Sequence, residues 1–126
     1  MPSGACLCGA VRITVEGPLS QPDLCHCSIC RKYAAVGFAS CDMPRDRVHI
    51  DGEDAITWYQ SSDKVRRGFC SRCGSALFFD PLFHDWTAIA MGVFDEPTGT
   101  TLGKHIFTGN KGDYYTIEGD LPQNVQ

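Results

Sequence analysis

The residues able to do chemistry in this sequence are its eight cysteines. They fall as Cys6-Leu7-Cys8, Cys25-His26-Cys27-Ser28-Ile29-Cys30, a lone Cys41, and Cys70-Ser71-Arg72-Cys73-Gly74. Two thiolates separated by one or two residues can reach one tetrahedral ion, because the chain turns tightly around the metal, and Gly74 supplies the backbone freedom such a turn wants. Cys70-x-x-Cys73-Gly74 is therefore half of a zinc knuckle. Either Cys6 and Cys8 or two of Cys25, Cys27 and Cys30 could provide the other half. Counting separates the two. Pairing Cys6 and Cys8 with Cys70 and Cys73 closes a four-thiolate site and leaves three thiolates in one short segment, whereas the other pairing strands Cys6 and Cys8. Structural zinc sites are closed and catalytic ones keep an open position, so two zinc ions per chain are expected, one of each kind. A fourth protein ligand for Cys25, Cys27 and Cys30 would have to be Cys41, His26, His84 or His105. His26 is the weakest of these, since a residue between two ligands in extended chain points away from the ion.

Three thiolates over-neutralise Zn²⁺ to a formal −1, which lowers its power to ionise water relative to a three-histidine site. Hydrolysis is not the chemistry this favours. A soft ligand set is better suited to holding a substrate thiolate, and that points to carbon–sulfur chemistry. Arg31 and Lys32, just after Cys30, could offset the cluster's charge. His105, Tyr59 and Ser62 are the polar residues available to steady a developing alkoxide. Cys41 has no second cysteine at ligand spacing and reads as an ordinary core thiol.

The elements that must position these groups are mostly strands. In Ala10-Val11-Arg12-Ile13-Thr14-Val15-Glu16 the apolar residues share one face and the polar ones the other, the period-two pattern of a half-buried strand. Further strands are expected at Val36 to Cys41, Arg47 to Ile50, Ala55 to Gln60, Val65 to Phe69, Ser75 to Phe79, Thr87 to Val93 and Tyr114 to Ile117. Helix is scarce: Ser28 to Ala35 could make a turn or two, capped by Ser28 and stopped before Gly37. An antiparallel, mainly β fold follows. The acidic residues Asp42, Asp46, Asp51, Glu53 and Asp54 lie on expected connections and read as solvated surface.

The chain has 126 residues, 43% of them hydrophobic, and no Ser/Gly linker or repeat divides it; residues 1–126 read as one domain with a core of its own. Its 11 Lys+Arg and 15 Asp+Glu give a formal net charge of −4. That balance argues against a general grip on nucleic acid or an anionic membrane. The longest mostly apolar stretch, Trp86 to Phe94, is far short of the ~20 residues of a membrane span. The first residues lack the charged and apolar regions of a secretory signal, so a cytoplasmic location is expected, where cysteines serve as ligands or catalytic thiols rather than in disulfides.

Four segments carry a resemblance: Gly4-Ala5-Cys6-Leu7-Cys8-Gly9-Ala10-Val11, Cys25-His26-Cys27-Ser28-Ile29-Cys30-Arg31-Lys32, Phe69-Cys70-Ser71-Arg72-Cys73-Gly74-Ser75-Ala76-Leu77 and Lys104-His105-Ile106-Phe107. In that order they resemble the glutathione-dependent formaldehyde-activating enzyme family, which includes centromere protein V. The resemblance implies an Mss4-like fold of coiled antiparallel sheets, stapled by zinc. It implies that Cys6, Cys8, Cys70 and Cys73 hold a structural zinc and Cys25, Cys27 and Cys30 a catalytic one. It further implies a carbon–sulfur lyase class, in which a thiol such as glutathione and the aldehyde formaldehyde combine reversibly as S-hydroxymethylglutathione. The leading expectation is an enzyme acting on such a thiol–aldehyde adduct. The alternative is a non-catalytic Mss4-like zinc module that binds a protein partner, which a protein-filled fourth position at the three-cysteine site would favour. A zinc ribbon for nucleic acid comes third, supported only by the local cluster Arg66, Arg67 and Arg72.

Overall fold

The computed structural model describes residues 1–126. In chain order the strands are Ser3–Ala5 (β1), Arg12–Val15 (β2), Asp23–Cys25 (β3), Phe38–Pro44 (β4), Val48–Asp51 (β5), Ile56–Gln60 (β6), Val65–Cys70 (β7), Ala76–Pro81 (β8), Trp86–Ala90 (β9) and Lys104–Ile106 (β10). The one α-helix is Ser28–Ala34 (α1). Short 3₁₀ turns fill several connections, among them Met91–Val93 directly after β9. The class is the expected one: mainly β, two sheets, one helix. No helix is long and apolar enough to cross a membrane.

The alternation in the first strand pattern builds the smaller sheet, ordered β1-β2-β5. Val11, Ile13 and Val15 are fully buried, while Arg12 and Glu16 face solvent, as side chains on alternate faces of a strand must. Gly4 ties this sheet to the rest through a bridge with Phe94. A Cβ at Gly4 would stand 1.8 Å from the Val93 carbonyl oxygen, so the close approach requires glycine.

The larger sheet has seven strands in the order β10-β3-β4-β9-β8-β7-β6, all antiparallel except β10 against β3. Its inner face gives Cys41, Met43, Leu77, Phe78 and Ile89 to one core with Val11 and Ile13 of the smaller sheet. Each such side chain contributes about 1.5–3 kcal/mol by leaving water. Asp80, 2% exposed, binds Arg66 of β7 and Arg45 of the turn after β4, and so ties β8 to both. The β7–β8 register shifts between Gly68 and Phe69, which turns the chain just before Cys70. At the far end the last residues return to β10: His105 N–H donates to Pro122 O at 2.9 Å, Asn124 N–H to His105 O at 2.9 Å and Thr108 N–H to Asn124 O at 3.0 Å.

Several elements differ from the sequence-based expectation, β1, β3 and β10 being strands that it did not include. Tyr114 to Ile117 is not a strand; the Tyr114 and Tyr115 hydroxyls instead donate to the carbonyls of Ala35 and Val36. The strand from Thr87 ends at Ala90, where the chain tightens into the 3₁₀ turn. Helix α1 is capped by Cys27, whose sulfur accepts from the Cys30 N–H at 3.2 Å, and not by Ser28. It stops at Ala34, ahead of Gly37, because Ala35 adopts φ 76° and Val36 N–H bonds back to the Ala34 carbonyl.

Candidate metal centres and active site

The β1–β2 connection and the β7–β8 turn each supply a pair of sulfurs. After β1 the chain reverses, with Gly9 N–H bonded to Cys6 O and Gly9 at φ 81°. After β7 it reverses again, with Gly74 N–H bonded to Cys70 O and Gly74 at φ 77°. Both turns need the left-handed conformation that glycine adopts without cost. The sulfurs of Cys6, Cys8, Cys70 and Cys73 then all lie within 4.8 Å of one another. Cys6 to Cys8 and Cys8 to Cys70 are each 3.7 Å, close to the edge of about 3.8 Å in a tetrahedron with zinc–sulfur bonds of about 2.3 Å. Backbone N–H groups of Val11 and Arg72 point at Cys6 and Cys70 sulfur at 3.3 and 3.4 Å. The Ser75 hydroxyl lies 3.2 Å from Cys73 sulfur, and hydrogen bonding from Ser75 pulls that thiol down to about 5. Donors aimed at sulfur favour thiolate, the form a soft metal ion needs.

The second cluster is built where β3 runs into α1. Cys25 closes the strand, Cys27 caps the helix, and Cys30 comes round one turn later; their sulfurs also lie within 4.8 Å of one another, and no further Cys, His, Asp or Glu joins them. Cys30 is buried and the other two are half-buried. The Cys30 thiol is pulled down to about 6, first by the hydrogen bond from Cys25, against the effect of burial, and then by Arg67. Cys25 is driven the other way, first by that same bond to Cys30 and then by burial. The contact between them thus favours the thiolate on Cys30 over Cys25. Either donor set could hold a soft ion; only the first is closed.

The three sulfurs form part of the wall of a cavity of about 490 Å³. Phe38, Phe79, Trp86, Val65 and Ala88 make much of its lining apolar, while Ser61, Ser62, Asn110 and Arg67 contribute polar groups. Asp23 and Asp42 also line it; Asp42 is exposed, as expected, but lies in β4 rather than on a connection. Burial raises the Asp23 carboxyl above its usual range, with Lys104 opposing.

Of the expected alkoxide donors, Ser62 lines the cavity. Tyr59 is exposed on β6 and His105 is spent on His26, Nδ1 to Nε2 at 2.8 Å. His26 does point away from its flanking cysteines, towards His105 and Tyr115. Cys41 is buried in the core, outside both clusters. Arg31 and Lys32 do not touch the three sulfurs. That contact belongs to Arg67, whose Nη1 donates to Cys30 sulfur at 3.4 Å. The sequence offered Arg67 only as one of three clustered arginines, because the contact joins residues 37 apart, one on α1 and the other on β7.

Comparison with known proteins finds relatives of this chain. A Halomonas elongata protein named as a candidate glutathione-dependent formaldehyde-activating enzyme is 34% identical over 128 residues, covering 91% of this chain and 80% of that protein. An uncharacterised lyase of Schizosaccharomyces pombe is 30% identical over 78 residues, 60% of this chain and 55% of the relative. The crystal structure of a Rhodobacter sphaeroides protein superposes with a TM-score of 0.63 at 17% identity, covering 97% of this chain and 99% of that one, a likeness of fold. The family model described as glutathione-dependent formaldehyde-activating enzyme matches residues 1–110, a span that includes both cysteine clusters and the whole of the larger sheet, and the chain belongs to that family.

Proposed function

We propose that this chain is a zinc-dependent carbon–sulfur lyase-type enzyme that makes or breaks a thiol–aldehyde adduct of the S-hydroxymethylglutathione kind. The observation that carries the reading is the three-sulfur cluster with no fourth protein ligand, facing a cavity large enough for a small substrate. Cys6, Cys8, Cys70 and Cys73 would hold a structural zinc, and Cys25, Cys27 and Cys30 a catalytic one. Bound at those three sulfurs, zinc would supply a soft electrophilic centre at which a thiol ionises near neutral pH.

The chain's own residues do the remaining work. Cys27 fixes the start of α1 and so holds Cys30 against Cys25. Phe38, Phe79 and Trp86 keep water away from the sulfur face and lower the local dielectric, which strengthens every charged contact there. Asp23, half-buried, lines the cavity's edge with its carboxyl raised by burial. In the direction of synthesis a C–S bond forms as the carbonyl π pair moves to oxygen, and the thiol's proton ends on that oxygen. The reverse releases thiol and aldehyde.

The test uses zinc-loaded protein and follows equilibration of formaldehyde with glutathione, cysteine and 2-mercaptoethanol by NMR exchange. Acceleration over the uncatalysed rate is expected with at least one thiol and is expected to vanish in Cys30→Ser. Protein carrying both ions that accelerates none of them would overturn the enzyme reading in favour of a binding module.

A further inference from the structure

Arg67 carries a charge for which the fold provides no carboxylate. It is 4% exposed, with its guanidinium carbon 5.4 Å from the centroid of the Tyr33 ring and 5.1 Å from that of Phe79. The ion pairs of the molecule are made by Asp80 with Arg45 and Arg66, and by Glu16 with His49; Arg67 belongs to none. Burying a guanidinium is costly unless a negative partner offsets it. Its Nε donates to the Ser61 hydroxyl at 3.3 Å and its Nη1 to Cys30 sulfur at 3.4 Å, leaving Nη2 without a protein partner. It is also the one lysine or arginine in the lining of the cavity. Arg66, next in the strand, points to the other face, where Asp80 holds it and Trp58 lies under it at 3.8 Å. The fold therefore spends one arginine on structure and aims its neighbour at the sulfurs.

The geometry points to Arg67 as a catalytic residue that binds the negative charge arising in the cavity: Nη1 offsets the thiolate cluster through Cys30, and Nη2 donates to the aldehyde oxygen as a thiol adds to the carbonyl carbon. This rests on the carbon–sulfur reading above. The thiolate pair forms the C–S bond, the π pair moves to oxygen, and water returns to that oxygen the proton that the thiol gave up to water. Breakdown runs the same steps backwards. Arg67 keeps its own protons throughout, because a guanidinium does not deprotonate in proteins. A planar fork can serve sulfur, the Ser61 hydroxyl and a substrate oxygen together; an ammonium group cannot hold all three in one plane.

Two substitutions in the full, zinc-loaded chain test this, with zinc content and melting measured on each. Thiocyanate, a small anion, is titrated calorimetrically, and glutathione–formaldehyde equilibration gives kcat and KM. Arg67→Gln is expected to weaken thiocyanate binding at least 10-fold and to lower kcat on the order of 10²–10³-fold, as loss of an oxyanion donor does, with KM moving less than kcat. Arg67→Lys keeps the charge and loses the fork; thiocyanate affinity is expected within about 3-fold of wild type while kcat stays at least 10-fold down. Wild-type protein that ignores thiocyanate, a Gln variant that binds it as tightly as wild type, or a Lys variant with full kcat would each overturn the assignment. Should Arg67→Gln fail to fold, the Lys variant decides. If no thiol reacts faster but thiocyanate still depends on Arg67, the carbon–sulfur reading falls and the anion site stands.

Discussion

Cysteine meets three environments in this chain, and each predicts a different response to removal. Cys70 is fully buried within the closed cluster, where metal affinity is folding free energy. Cys70→Ser is expected to unfold or aggregate the protein, read by circular dichroism. Cys27→Ser is expected to keep the spectrum and the melting temperature nearly intact while elemental analysis falls from two zinc ions to one, since serine also caps helices well. Equal damage from both would sink the division into structural and catalytic sites. Cys41 is 1% exposed, burial holds its thiol up at about 11, and it lies outside both clusters. Cys41→Ala is expected to retain both zinc ions and to cost on the order of 1 kcal/mol in denaturant melts. The spacing of the cysteines made both clusters legible in the sequence, because ligands one to three residues apart are a local property. Arg67 was not legible as their partner: nothing within several residues of it distinguishes it from Arg66.

Strands announced themselves where they were long enough to alternate. Val11, Ile13 and Val15 show three apolar residues at period two, and β2 begins directly after the first of them and holds the other two. β1, β3 and β10 have three residues each, too few for a period to register against turn-forming neighbours. Tyr114 and Tyr115 misled because aromatic side chains favour strands, whereas here their hydroxyls serve the end of α1. That helix end carries the element's main strain. Ala35, at φ 76° and ψ −48°, sits in a three-residue turn with positive φ, a conformation rare and strained for any residue with a Cβ. Ala35→Gly is expected to stabilise the protein by about 1 kcal/mol and raise its melting temperature by a few degrees, with zinc content unchanged. A fall in melting temperature would show that the turn is not strained.

The cavity is a property of the whole molecule. Between β3, which ends at Cys25, and β7, which carries Arg67, the larger sheet interposes β4, β9 and β8. In a flat sheet strands four places apart would stand about 19 Å from each other, at roughly 4.8 Å per step. Arg67 nevertheless reaches Cys30, because α1 leads from β3 towards β7, where the Tyr33 hydroxyl donates to the Gly68 carbonyl, and the cavity lies between this helix end and the twisted sheet. Twist of this hand is general to sheets; how far it accumulates depends on packing across the core, which no local pattern in the sequence records.

The return of the last residues to β10 bears on how the chain behaves beside its own copies. A sheet edge with free N–H and C=O groups invites another chain to pair with it. Along β10 those groups at His105 are taken by Pro122 and Asn124, and these guards lie beyond residue 110, where the family match stops. A chain trimmed to residues 1–110 would keep every cysteine yet present an unpaired edge beside the cavity, and it would lose Tyr115 from His26. Such a chain is expected to bind metal and to self-associate, its sedimentation coefficient rising with concentration more steeply than that of residues 1–126. Identical sedimentation of the two would mean that the tail merely lies on the sheet. Otherwise, the tail keeps the edge of β10 covered from a position outside both cysteine clusters.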